Sequence, residues 1–306
     1  MKARVVWLVL CVVWGSTWLF IKLGLRDLPP VSFAAVRFAL ASAILLAVVR
    51  ASGASMPRGR RDILLVAGTG VLSFALNYGL LFWGEQYISS GLAALLQATI
   101  PVFGMLFAHA HLPGERMTVA RMAGVLLGVA GVGVIFSNQL EAGGRSALWG
   151  SAAVLLGAVC VAWSNVLVKA RGGHLAPSAL AAGQMLCGLV PLSAYGLAFE
   201  GNPLNFRWTG LAVVCLLYLT LVGSVVAFLL YYWLVRNMDV TKTMLISLVT
   251  PLFAVTLGVV TLGEEVTWRT VAGGLLILSG IALVVVRRAG RRLAPAAEAE
   301  PAAAED

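Results

Sequence analysis

The chain is 306 residues long, 60% hydrophobic and only 11% charged, with a mean hydropathy of +0.93 and a formal net charge of +9. Soluble domains carry roughly 25% charged residues, which excludes an ordinary water-soluble globular fold. The positive charge sits at the ends of apolar runs rather than in one patch, which excludes nucleic acid as its partner.

Apolar runs close to the roughly 20 residues that cross hydrocarbon recur along the chain. The first, residues 5–24, carries Trp7, Trp14, Ser16 and Trp18. It is expected to be retained, since its apolar core is long and Lys22 and Arg26 follow where a leader would show small residues. Residues 31–49 carry Arg37, 63–83 carry Asn77 and Tyr78, and 91–110 carry Gln97 and Pro101. Residues 120–136 hold Gly124, Gly128 and Gly131, a face of small residues suited to close helix packing within the fold or in a homodimer. Residues 148–168 carry Trp163 and Asn165, 178–198 carry Gln184, and 210–234 read as another span. Residues 240–262 carry Ser247 and Pro251, and 271–286 form the last run. Cys11, Cys160, Cys187 and Cys215 all fall inside spans, where they read as packing residues without disulfide or metal spacing.

The fold class read from this pattern is all-α integral membrane, with about ten transmembrane helices in two five-helix repeats. The first repeat covers residues 1–138 and the second 147–288, leaving 289–306, rich in Ala, Pro and Glu, as a disordered cytoplasmic tail. Pro101 and Pro251, Trp83 and Trp233, and Phe103 and Phe253 recur about 150 residues apart, marking a duplicated domain. Trp14-Gly15-Ser16 answers Trp163-Ser164-Asn165, and Pro30 with Arg37 answers Pro177 with Gln184. An odd number of spans per repeat inverts the second relative to the first, which gives two near-equivalent packings and alternating access. Arg26, Arg145, Arg207 and Arg269 fall in the loops opposite the N-terminus, and the other basic residues outside the spans fall on its own side. That bias predicts both termini on the cytoplasmic side of the cytoplasmic (inner) membrane.

Trp14-Gly15-Ser16, the mid-span prolines and the loops Gly114-Glu115-Arg116-Met117-Thr118 and Gly263-Glu264-Glu265-Val266-Thr267 resemble the EamA family of the drug/metabolite transporter superfamily over residues 5–288. The resemblance implies a ten-helix carrier of small organic metabolites, often amino acids or related compounds, commonly moved outward. No cofactor is expected.

Proline in a spanning helix frees a carbonyl one turn earlier, here at Gln97 and Ser247, and paired kinks point to a binding site or gate. A central cavity is therefore expected to draw on Trp14, Ser16, Trp18, Arg37, Asn77, Tyr78, Gln97, Trp163, Asn165, Gln184 and Ser247, with Pro101 and Pro251 as kinks. Each polar member has a packing alternative: intramembrane amides also tie helices together, and Ser247 bonds cheaply to its own helix. Trp83, Trp149, Trp208, Trp268, Trp7 and Trp233 lie at span ends and read as interfacial anchors. Lys22 and Arg37 are the charged side chains within the spans, and Lys22 sits shallow enough to snorkel. Arg37 is expected to steer a carboxylate-bearing substrate or to pair with a loop acid such as Glu85. Every Asp and Glu falls in a loop, at a span end or in the tail, so facilitated diffusion or exchange is favoured over proton antiport. Glu115 and Glu264 read as acids at helix ends.

An enzyme is not expected, because no nucleophile–base or acidic pair sits at membrane depth. No metal is expected either: His109 and His111, two apart, lie on different helix faces. A broad drug or nucleoside exporter and a membrane scaffold are the competing readings.

Overall fold

The computed structural model describes residues 2–112, 117–138, 144–238, 243 and 246–293. Ten apolar helices follow one another among them: α1 Lys2–Gly24, α2 Pro30–Ala51, α3 Arg60–Glu85, α4 Ser90–His111, α5 Val119–Asn138, α6 Gly144–Arg171, α7 Pro177–Glu200, α8 residues 210–237, α9 Ile246–Leu262 and α10 Trp268–Leu293. Each matches one expected span to within a few residues, except that α6 is extended at both ends. The last helix also runs to Leu293, into the stretch expected as tail; residues 294–306, Glu115 and the start of the ninth expected span lie outside the described residues.

The helix starts follow from local chemistry. Pro30 and Pro177 open α2 and α7 from extended residues Pro29 and Ala176, since proline's fixed φ suits the first turn and its missing N–H is no loss there. Ser89 and Thr209 cap α4 and α8 by accepting from the amides of Leu92 and Ala212.

Packing records the duplication. With α1–α5 matched to α6–α10, the second, fourth and fifth helices each pack against their own mate: α2 on α7, α4 on α9, α5 on α10. Three further contacts come in exchanged pairs, α1 on α9 with α6 on α4, α3 on α6 with α8 on α1, and α3 on α7 with α8 on α2. A two-fold relation between halves of odd span number requires this inversion. The third helix of each half carries a π-helical stretch at the matching place, Val71–Leu76 in α3 and Tyr218–Val226 in α8. Such widened turns expose backbone groups and recur at functional sites.

The prolines differ from the twin kinks expected. α4 breaks at Ala98-Thr99 before Pro101, where the Leu96 carbonyl accepts from both the amide and hydroxyl of Thr99, at 3.1 and 2.6 Å. α9 instead carries Pro251 inside one continuous helix. The glycine face of α5 is covered by α10: a Cβ on Gly131 would lie 2.5 Å from the Gly273 carbonyl oxygen, and one on Gly280 2.5 Å from that of Gly124. Close backbone approach of this kind drives helix association in lipid, where apolar burial does not.

Candidate functional site

α2 places Arg37 where α1, α3 and the π-helical part of α8 converge. Its side chain is 3% exposed. Nε and Nη2 donate to Ser224 Oγ at 3.2 and 3.1 Å, while Nη1 is buried with no hydrogen-bond partner. The guanidinium carbon lies 5.3 Å from the ring centroids of both Phe38 and Tyr78. Such rings attract a desolvated cation but cannot accept its remaining N–H bonds. No carboxylate is paired with Arg37 among the described residues, so the expected alternative of a structural pair with Glu85 does not hold. The site therefore presents an uncompensated guanidinium against an aromatic wall of Phe38, Phe74 and Tyr78.

Ser16 lies beside this cluster. Its hydroxyl is 2.6 Å from that of Tyr218, whose ring stacks on Phe20, and Ser224 in turn bonds the Leu219 carbonyl. Thr220, one turn before Ser224, has a buried hydroxyl without a partner. Tyr218, Thr220 and Ser224 were not picked out in the sequence. The signal was a set of polar residues recurring within an otherwise apolar run, in the repeat mate of the helix carrying Asn77.

The other expected residues separate into groups. Gln97 Nε2 donates to Asn77 Oδ1 at 2.8 Å and to the Val154 carbonyl at 3.1 Å, a buried tie between α4, α3 and α6. Gln184 donates to Thr69 Oγ1 at 2.9 Å, and Ser164 to the Thr69 carbonyl, tying α7 and α6 to α3. Asn165 is exposed: with Ser164 turned towards α3, its neighbour on the helix points away. Trp14 packs on Phe228 and Tyr231, Trp163 on Phe107 and His111, and Trp18 against the main core. Ser247 is half-buried on α9, one turn before Pro251. Arg37 and Tyr78 are thus brought together, Ser16 is held through Tyr218 to the same π-helical stretch of α8, and Gln97, Asn77, Gln184, Asn165, Trp163 and Ser247 lie elsewhere.

One end of the bundle is laced by acids and a lysine. Glu264, after α9, accepts from the amides of Ser90 and Gly91 and from the Ser90 hydroxyl, at 2.8, 3.3 and 2.9 Å. It therefore caps α4 rather than the helix that follows it. Glu200 at the end of α7 accepts from Val31 and Ser32, capping α2. Lys22 does not snorkel away: its ammonium donates to the carbonyls of Glu85, Gln86 and Ile88 at the end of α3, where a cation suits the helix dipole. Glu264→Ala strands two amide donors and is expected to cost about 2 kcal/mol. The check is a lower thermal midpoint in detergent, with Glu264→Gln losing less because it keeps an acceptor.

Glu85 itself is fully buried, with neither carboxyl oxygen hydrogen-bonded. The preference for facilitated diffusion or exchange rested on there being no buried acid, and Glu85 removes that ground.

The model of the EamA-like transporter family matches residues 2–137 and 148–286. The uncharacterized inner membrane transporter YedA of Escherichia coli is 30% identical over 94% of this chain and 90% of its own length. The uncharacterized transporter YoaV of Bacillus subtilis is 28% identical over 88% of this chain and 91% of its own. A probable terminal-alkyne amino-acid exporter of Streptantibioticus cattleyicolor is 32% identical over 95% and 96% respectively. A solved crystal structure with 23% identity superposes at a TM-score of 0.65 over 96% of this chain and 99% of its own, which shows a shared fold.

Proposed function

The chain belongs to the EamA-like transporter family and is a multi-pass membrane transporter, and from that premise we propose that it carries small amino-acid-like or other carboxylate-bearing solutes outward by alternating access. The observation that carries this reading is Arg37, whose buried Nη1 has no partner and whose charge no described carboxylate offsets. A ligand carboxylate satisfies both, and Arg is suited to it because its planar fork matches two oxygens. Phe38, Phe74 and Tyr78 beside it favour an apolar or aromatic remainder on the solute. The S. cattleyicolor relative, named as a probable amino-acid exporter, agrees with this class.

The inverted packing supports alternating access, since exchanging the conformations of the two halves exchanges the side to which a site near their shared axis opens. The basic bias of the loops on the N-terminal side supports cytoplasmic termini in the cytoplasmic membrane. The test compares, by untargeted metabolite profiling, the medium of cells expressing the chain with that of cells carrying empty vector. A carboxylate metabolite is expected to accumulate only with the protein. Accumulation of uncharged or purely cationic solutes instead would reject the carboxylate reading.

A further inference from the structure

A groove of about 720 Å³ opens between α3 and α6 at the end of the bundle opposite the Glu264 cap. Its rim carries Arg61 at the start of α3, Arg171 at the end of α6, and His174 just beyond. Asp62 is the one acid at the rim; its carboxylate faces His174 Nε2 at 3.1 Å, and among the described residues no ion pair ties it to Arg61 or Arg171. Below the rim the walls are Leu64, Leu65, Gly68 and Leu167, and the floor is Thr69. Thr69 makes no polar demand on an occupant, because its hydroxyl already donates to the Leu65 carbonyl and accepts from Gln184.

We infer that this groove binds one anionic phospholipid, with its phosphate at Arg61 and Arg171 and an acyl chain along Leu64, Leu65 and Leu167. The rim lies at helix ends, the depth of the headgroups, and the wall runs roughly 12 Å down α3 from Arg61 to Thr69. Leu64 is 62% exposed on a membrane-spanning helix, so the groove opens sideways to lipid as well as to water. A phosphate above an apolar wall is the chemistry of an anionic lipid, and basic pockets between spanning helices are suited to its headgroup. Arg58, Arg60 and Lys169 add positive charge at the same end without lining the groove.

Two kinds of variant separate headgroup from chain. Arg61 and Arg171 are exposed, so the double variant Arg61→Gln/Arg171→Gln removes charge without opening the core. A Cβ at Gly68 would meet open space, so Gly68→Leu fills the groove without displacing a neighbour. Native mass spectrometry of the purified full chain, offered phosphatidylglycerol and phosphatidylcholine with identical acyl chains, reads the outcome. The native protein is expected to retain one phosphatidylglycerol in preference, and both variants to lose that retention about tenfold, with Arg58→Gln unchanged. Thermal midpoints of the charge variants are expected to match the native protein, and that of Gly68→Leu to match or exceed it, since it replaces a helix-interior glycine and a Cβ there meets open space.

Equal retention of the two lipids by the native protein would overturn the proposal, as would undiminished retention by Gly68→Leu. A loss in Arg58→Gln equal to that in the double variant would also overturn it, assigning the effect to general surface charge. Displacement of the lipid by glycerol 3-phosphate would assign the arginines to a soluble anion instead. None of these outcomes depends on transport of any solute, so they stand apart from the reading of Arg37.

Discussion

Arg37→Met is expected to abolish carboxylate export while leaving the protein at least as thermally stable as before. The two effects run in opposite directions because the guanidinium is buried where no described carboxylate repays its desolvation. Ser224 takes two of its N–H bonds and two aromatic faces lie at 5.3 Å, but Nη1 remains unsatisfied. Such an arrangement costs stability unless a ligand completes it, and methionine fills similar space without that cost. Loss of two charge-assisted hydrogen bonds to a carboxylate, at about 1.5 kcal/mol or more each, corresponds to roughly a hundredfold drop in transport. Arg37→Lys keeps the charge but loses the planar fork, and is expected to fall between, about tenfold down. The measurement pairs export of the solute identified by profiling with the thermal midpoint in detergent. A destabilised Arg37→Met protein that still exports would assign Arg37 to structure alone.

Gly131→Val is expected to give a large loss of stability at the contact between α5 of the first repeat and α10 of the second. α5 and α10 touch backbone to backbone: a Cβ on Gly131 would also lie 2.8 Å from the Ile277 side chain, and one on Gly273 2.7 Å from the Gly131 carbonyl oxygen. Carbonyl and helix backbone cannot give way as a flexible side chain does, so the two helices must separate along their length. The cost is expected to be about 3 kcal/mol, seen as a thermal midpoint lower by roughly 10 °C. Gly133 supplies the control on the same helix. It is exposed and a Cβ there meets nothing, so Gly133→Ala should be neutral or stabilising by up to about 1 kcal/mol. Equal behaviour of the two variants would mean that the α5–α10 contact contributes little.

Gly124, Gly128 and Gly131 also illustrate where sequence reading stops. Their spacing gave a face for close packing and left fold and homodimer open; the contact with α10 decides that this face is used within the chain. The same limit applies to the amides. Gln97, Asn77 and Gln184 were each readable as polar groups at membrane depth, yet whether they meet a ligand or each other depends on which helices lie side by side. In the folded chain Gln97 meets Asn77 and Gln184 meets Thr69.

The sequence by itself determined the spans, their number in the two halves, the inverted duplication and the proline-led starts of α2 and α7. These are local properties: hydropathy over about 20 residues, an odd span count, and the fixed φ of one ring. It also marked Arg37, because a charge deep in an apolar run is costly wherever the neighbours are. Only the tertiary structure decided the partners. It set Ser224, 187 positions away, against Arg37, buried Glu85 from a place at a span end, and turned Glu264 to cap a helix 174 positions earlier. Hydropathy acts residue by residue along one helix, whereas hydrogen bonding and burial are settled between helices, and their azimuth and neighbours are fixed only when the two halves pack together.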